Sequence, residues 1–355
     1  VAWAPPTADL LDLSNGVRRR ADSFRFYLLD QADETIGELH PPRTASLSLT
    51  TDTGAAVPRT MSGFRLLASE ATEVNPLVDR LAPTMVLQNG EEFQLGVLLW
   101  GDDAQPRRPW GTEHASSLVD KMTLLNQPIR ATIGFAKGAD IGVAALGVAL
   151  DAGLTLDEIE IDPITADLGV GMTWAIGTQY RTVLGELMNV VGFLPPHFSQ
   201  LGKLRLVDTP DLSTVIPDLI YEAGGRIIAD SILDSNDLLT APNRFQVYET
   251  SGQAQIVGIY DIAATEPHSY ANRGFYVTES ESAQGLKTTD RANKAAKSLA
   301  MRSPAYRYRR FQSTLDPRHD HWDPVTCLGE TWMETRHVME LRSGGKHTHE
   351  LKLVA

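Results

Sequence analysis

The sequence predicts a β-rich α+β protein of several domains. Three observations point there. Short alternating apolar runs fill Phe24 to Trp100, single-stripe helices interrupt the middle and last third, and a glycine-rich hairpin closes the chain. A length of 355 residues suits two or three domains.

The first run, Phe24 to Leu29, reads as antiparallel β, as does Thr44 to Thr51, where Ala45, Leu47 and Leu49 share a face. Between Met85 and Trp100 the Asn89-Gly90 pair predicts a tight hairpin, because both residues accept positive φ. After Gly101 the texture changes. The Pro106 to Pro109 segment leads to Thr112 as a helix cap, with Leu118, Met122 and Leu125 at helical spacing, and a domain boundary is placed near 101.

A second helix is expected from Asp140 to Gly153. Six acids without a base between Asp151 and Asp167 then read as a solvated surface. Thr178 to Gly192 is the clearest helix of the middle, with Tyr180, Leu184, Leu187, Met188 and Val191 on one stripe, Gly192 to terminate it and Pro195-Pro196 beyond. From Asp208 to Thr240, seven acids and one base surround short strand-like pieces such as Arg226 to Ile232, a section that looks peripheral.

Phe245 to Glu249 and Gln255 to Ile259 read as strands joined at Ser251-Gly252. A helix from about Lys287 to Arg302 shows Ala292, Ala295, Ala296, Leu299 and Ala300 on one side, so it must pack closely. Ser303-Pro304 ends it. Tyr306 to Leu315 alternates as a strand, Asp316-Pro317 turns the chain, and Thr331 to Leu341 with His347 to Val354 flank Ser343-Gly344-Gly345-Lys346. There is no internal repeat.

Composition narrows the function classes. A net charge of −13 opposes general binding to phosphate backbones or anionic lipid. One cysteine, Cys327, cannot form an intrachain disulfide, and the first twenty residues, with Arg18-Arg19-Arg20, show no signal peptide, so cytosolic synthesis is expected. The apolar run Ile141 to Leu150 is too short to span a bilayer.

Several clusters invite a chemical reading. His347 and His349 project from one strand face as metal ligands can, but a third ligand is missing nearby, and a four-residue turn would put Glu340 opposite His349 as a plain cross-strand pair. The loop Asp316 to Pro324, with His319, Asp320, His321 and Asp323, is dense in ligand types, yet its spacing matches no common zinc or HExxH pattern and suits a structural loop. Cys327 lacks a nucleophile signature and reads as a buried thiol. Asp157, Glu158, Glu160 and Asp162 could supply a glycosidase pair only through a separation that sequence does not reveal. Gly142 and Gly147 lie inside a helix, without the strand a nucleotide loop needs. Arg302, Arg307, Arg309 and Arg310, interleaved with Tyr306 and Tyr308, could touch nucleic acid or face an acidic neighbouring subunit. No catalytic, cofactor-binding or metal-binding residue is assigned, and no cofactor is expected.

The order of the last third resembles a known family. "NRFQVYETSGQAQIVGIY", a Pro/Asn loop, "FYVTESESAQGLKTTDRANKAAKSLAMRSPAYRYRRFQSTLDPRHDHWDPVTC" and the Gly-Gly hairpin are similar to the tail hub proteins of long-tailed bacteriophages. These are also called baseplate hub or minor tail proteins and include the N-terminal part of tail-associated lysins. "TWAIGTQYRTVLGELMNVVGFLPPHFSQLGKLRLV" resembles the family's helix-and-strand domain, and "FRFYLLD" with "RTMSGFRL" matches more loosely.

The resemblance implies two β-barrel-like tube domains with peripheral α/β domains. Residues 1–100 would form the first barrel, 101–165 a helical or α+β insertion, 166–240 a peripheral α/β domain, and 241–355 the second barrel with the Ala-rich helix. It further implies a homotrimer at the distal end of a phage tail tube, adapting a sixfold ring to a threefold tip. A distal tail protein or tube ring would sit above and tip, fibre or spike proteins below, while the tape-measure protein and DNA pass through a lumen whose potential is expected to be negative. The long extension that carries lytic activity in tail-associated lysins does not follow the hairpin, so the resemblance implies no enzyme. Two other readings are a cell-wall hydrolase or carbohydrate-binding tail module, suggested by Trp322, Trp332 and the His/Asp loop, and the hub of a contractile injection or secretion spike.

Overall fold

The computed structural model describes residues 22–353 except 43, 44, 103, 105, 106, 109, 110, 213, 224 and 251–255. The Arg18-Arg19-Arg20 cluster, Pro106, Pro109, the Ser251-Gly252 turn and Val354 therefore lie outside the described residues.

The N-terminal alternation forms β1 (Ser23–Leu29), β2 (Thr35–Leu39), β3 (Ser48–Asp52), β4 (Arg59–Leu67), β5 (Arg80–Val86), β6 (Glu92–Gln94), β7 (Leu98–Trp100), β8 (Arg107–Arg108) and β9 (Gly111–Asp120). One face of these strands buries Phe26, Leu49, Phe64, Met85 and Leu118 in a common core. The Asn89-Gly90 hairpin joins β5 to β6, with Val86 opposite Glu92 and Gly90 at φ +85°.

The helix expected from Thr112 is instead a strand. β9 pairs with β4 on one side and β7 on the other, and only Met122–Leu125 makes a helical turn. The helical spacing of Leu118, Met122 and Leu125 lost to pairing on both sides. Ser116, Leu118 and Asp120 alternate inward across the pleat. The sheet thus continues past the boundary expected near 101.

The middle of the chain holds β10 (Ile133–Phe135), helix Ile141–Asp151, β11 (Ile159–Ile161), β12 (Met172–Trp174), helix Tyr180–Val191, β13 (His197–Phe198) and β14 (Leu204–Leu206). The first helix is capped by the Asp140 carboxylate, which accepts from the Val143 N–H. The second ends at Gly192, whose φ of +72° suits the left-handed cap. Its whole apolar stripe is buried in one core with Ile141, Ala145 and Leu204.

The acidic stretch after Asp208 is less peripheral than its charge suggests. β15 (Leu219–Tyr221) and β16 (Leu233–Asn236) both join the main sheet, β15 against β21 (Pro324–Cys327) and β16 against β20 (Arg307–Thr314). The strand expected at Arg226 to Ile232 is reduced to one bridge, Ile227 to Ser313.

A separate sheet of β17 (Arg244–Glu249), β18 (Val257–Asp261) and β19 (Thr278–Ala283) is backed by helix Thr289–Arg302. Ala292, Ala295, Ala296 and Ala300 are buried against it. The approach is as close as the alanine stripe predicts: a Cβ on Gly258 would lie 1.9 Å from the Ala292 carbonyl carbon.

The closing hairpin consists of β22 (Glu330–Glu340) and β23 (Lys346–Leu353). β22 also pairs with β3, Leu49 opposite Met339, so the two ends of the chain share one ladder. The result is a 15-stranded sheet whose path runs β16-β20-β23-β22-β3-β4-β9-β7-β5-β1-β2. Among the described residues no ladder joins the two ends of this path. The sheet is open and continuous, in place of the closed barrels the resemblance implies.

Candidate functional site

The register of the central sheet builds the most unusual site. One row across it reads Thr51, His337, His349, Phe311, and the next Leu49, Met339, His347, Ser313. Alternate residues share a face, so His337, His347 and His349 point the same way. Glu340 does not face His349, as a four-residue turn would require. Met339 pairs with His347, an odd slip that exchanges the faces and brings His337 opposite His349.

A bulge supplies the carboxylate. The ladder shifts between Glu334 and Arg336, which turns Glu334 onto the face of His337. Glu334 accepts from Nδ1 of His319 at 2.5 Å, of His337 at 3.0 Å and of His349 at 2.7 Å. With Nδ1 donating, His349 Nε2 accepts the Ser313 hydroxyl at 2.8 Å, and His319 Nε2 meets the Tyr221 hydroxyl at 2.5 Å, as acceptor when the ring is neutral and as donor when it is protonated. His319 arrives from the Asp316 to Pro324 loop and Tyr221 from β15, so four segments meet here.

All these groups are buried. Burial works against ionisation of Glu334, but His319 and His337 hold its carboxyl well below the usual range. Burial likewise opposes charge on His319, where Glu334, Asp316 and Asp323 prevail and raise its pKa. Burial and the neighbouring imidazoles push His347 well below the ordinary value. Neither ring nitrogen of His347 has a hydrogen-bond partner.

Ser313, His349 and Glu334 are connected as in a hydrolase relay. Ser313 and His349 are each fully buried, so the hydroxyl is packed away from any incoming substrate.

A second buried node ties the modules together. Arg59 of β4 donates to Asp320 at 2.6 Å and to the Phe198 carbonyl at 3.4 Å. Gln200 donates its backbone N–H to Asp320 and its side-chain amide to the carbonyls of Pro317 and His319. Lys121, fully buried, bonds Asp33 at 2.9 Å and also Glu158. The Asp316 to Pro324 loop thus lies in the interior, with Asp320 and the Pro317 and His319 carbonyls bonded to Arg59 and Gln200.

The other sequence candidates have intrachain partners. Arg302 pairs with Glu281, Arg307 with Glu330 and Arg309 with Asp234, while Arg310 is 59% exposed and 3.9 Å from Glu350. Tyr306 stacks on His268, and the Tyr308 hydroxyl accepts from the Ala305 N–H. Of the acidic run, Glu158 binds Lys121 and Arg80, Glu160 lies near Lys203 and Arg205, and Asp162 accepts the Asp208 N–H, so this surface is only partly solvated. Trp332 is fully buried, with the guanidinium groups of Arg307 and Arg309 over its ring, and Trp322 is also buried, so neither offers a sugar a free face. Cys327 is buried, and burial raises its thiol pKa.

Glu334, His337, Tyr221, Arg59, Lys121 and Gln200 carry no local motif. Their one sequence trace is Glu334 three residues before His337, beside a strand with a His-x-His step.

No protein-family model matches the chain, and no curated protein is similar to it in sequence. Solved structures are similar in fold. A tail protein from Neisseria meningitidis MC58 superposes with TM-score 0.63 at 12% identity, over 93% of this chain and 96% of its own. The 43 kDa tail protein of prophage MuSo2 from Shewanella oneidensis gives 0.57 at 12% identity, over 92% and 98%. Prophage tail protein gp18 from Listeria monocytogenes gives 0.56 at 10% identity, over 92% and 94%. The chain has the fold of phage tail proteins.

Proposed function

We propose that this chain is a structural virion protein, the homotrimeric hub at the distal end of a phage tail tube. Its fold is shared with three phage tail proteins along nearly the whole length of each chain. The observation that carries the assembly is the open sheet. Its path ends at β2 and β16, and each end strand presents a large apolar side chain, Ile36 at 56% and Leu233 at 63% exposure. Leu238 and Leu239, exposed just after β16, widen the second patch.

Unpaired strand edges invite pairing with another chain. Docking β2 of one subunit on β16 of the next is a head-to-tail contact, which closes into a ring when the rotation per subunit is right. In a trimer, the N-terminal and C-terminal halves of the sheet then alternate six times around a lumen. That pseudo-sixfold rim serves as the two tube domains and meets a distal tail protein or tube ring, with the tip, fibre or spike proteins on the threefold side. Tape-measure protein and DNA pass through, and the net charge of −13 per chain keeps phosphates from sticking to the wall. The role is geometric and needs no catalysis.

Light scattering on the eluting full chain tests this, with three chains expected per particle. Ile36→Lys or Leu233→Lys is expected to release monomers of unchanged secondary structure. A wild-type chain that stays monomeric at high concentration would contradict the reading.

A further inference from the structure

We propose that His319, His347 and His349 bind one divalent transition-metal ion of the zinc class, with Glu334 holding the rings in place. One nitrogen of each of these three side chains lies within 4.8 Å of the others. Their ring centroids are 4.8 Å (His319 to His347), 4.7 Å (His319 to His349) and 4.0 Å (His347 to His349) apart. Metal–nitrogen bonds of about 2 Å put tetrahedral donors about 3.4 Å apart, so small side-chain rotations close the site.

His347 points independently to a ligand. It is fully buried, and both its nitrogens lack a partner. An imidazole stripped of water with nothing in exchange is costly, whereas a bound cation takes up the single lone pair of the neutral ring. It sits in the interior of the sheet, in one row with Met339 and Ser313.

The surrounding groups match what orients metal-binding histidines. Glu334 accepts from Nδ1 of both His319 and His349, which fixes tautomer and ring direction and leaves Nε2 of each as the metal-binding nitrogen; the Tyr221 and Ser313 hydroxyls that Nε2 now meets would turn aside for the ion. The donors are imidazoles around one carboxylate. That set suits zinc and its neighbours in the first transition row, whereas calcium or magnesium would need several oxygens. The ion would join β23 to the Asp316 to Pro324 loop, a cross-link in a protein with a single cysteine. The role is structural.

The test uses the full chain, refolded with zinc, freed of excess metal and analysed by plasma mass spectrometry. About one zinc per chain is expected for wild type and less than a tenth for His347→Phe, a substitution that fills the space without a ligand. Refolding with cobalt(II) should give the intense visible bands of a tetrahedral nitrogen site in wild type, a readout that stands even if the variant fails to fold. Wild type holding under a tenth of an equivalent, with no cobalt bands, would overturn the proposal. So would His347→Phe that binds as much as wild type. Loss in His337→Phe alone would also overturn it, by moving the ion to the adjacent His319, Glu334 and His337 set.

Discussion

His337 and His349 stand directly opposite each other across β22 and β23, and each donates Nδ1 to a different oxygen of Glu334. One carboxylate thus fixes both strands of the closing hairpin and, through His319, the loop that packs beneath it. Neighbouring row and loop come together in the interior of the sheet that both chain ends share.

Glu334→Gln keeps the shape but removes the charge that three imidazoles meet. A loss of about 3–5 kcal/mol is expected, the range for breaking a buried charge pair. Urea unfolding followed by circular dichroism measures it. A change below about 1 kcal/mol would show that the carboxylate does not organise the cluster.

Arg59→Met strands the buried Asp320 carboxylate, which the guanidinium meets at 2.6 Å. The expected loss is again about 3–5 kcal/mol, and adding Asp320→Leu should recover part of it, since an apolar pair replaces a buried ion pair at little cost. A double variant less stable than the sum of the singles would refute this.

Two glycines separate close packing from helix propensity. Gly258→Ala drives a methyl into the Ala292 backbone at 1.9 Å and should lower stability by about 1–3 kcal/mol or more. Gly147→Ala, inside helix Ile141–Asp151 with nothing within 4 Å, should raise it by about 0.5–1 kcal/mol. Equal effects on the melting temperature would contradict the proposed close approach.

Burial pushes His197 down to about 4, against an ordinary 6.5. The folded state therefore holds a neutral ring where the unfolded chain would take a proton. Its contribution is full above pH 6.5 and is lost as pH falls from there toward 4. Wild type should melt at a lower temperature at pH 4.5 than at pH 7.5, and His197→Phe should show a smaller drop. An unchanged drop in the variant would exclude His197 as a source.

Much of the fold was legible in the residues. The Tyr180 stripe ending at Gly192, the alanine face at Ala292 to Ala300, the Asn89-Gly90 turn and the closing hairpin all rest on local periodicity, and each occurs where the pattern places it. The helix that Thr112, Leu118, Met122 and Leu125 suggest gives way to a strand because partners on both sides decide it, and those lie at β4 and β7. The histidine cluster was half visible. His347 and His349 sharing a face follows from a period of two, but bringing Glu334 and His337 beside them depends on a hairpin register off by an odd number and on a bulge, and His319 arrives from a loop that periodicity does not place. No composition signal records either. Arg59 and Asp320 meet from opposite ends of the chain, which the β3 to β22 ladder brings side by side.

An electron cryomicroscopy map of the full chain, in its tail or as a purified particle and resolved to side chains, decides how the subunits assemble. The proposed hub requires three copies around a lumen, with Ile36 of each subunit packed near Leu233 of its neighbour and the sheet continuous across every junction. A single copy, or a ring in which both of these edges face solvent, would contradict it.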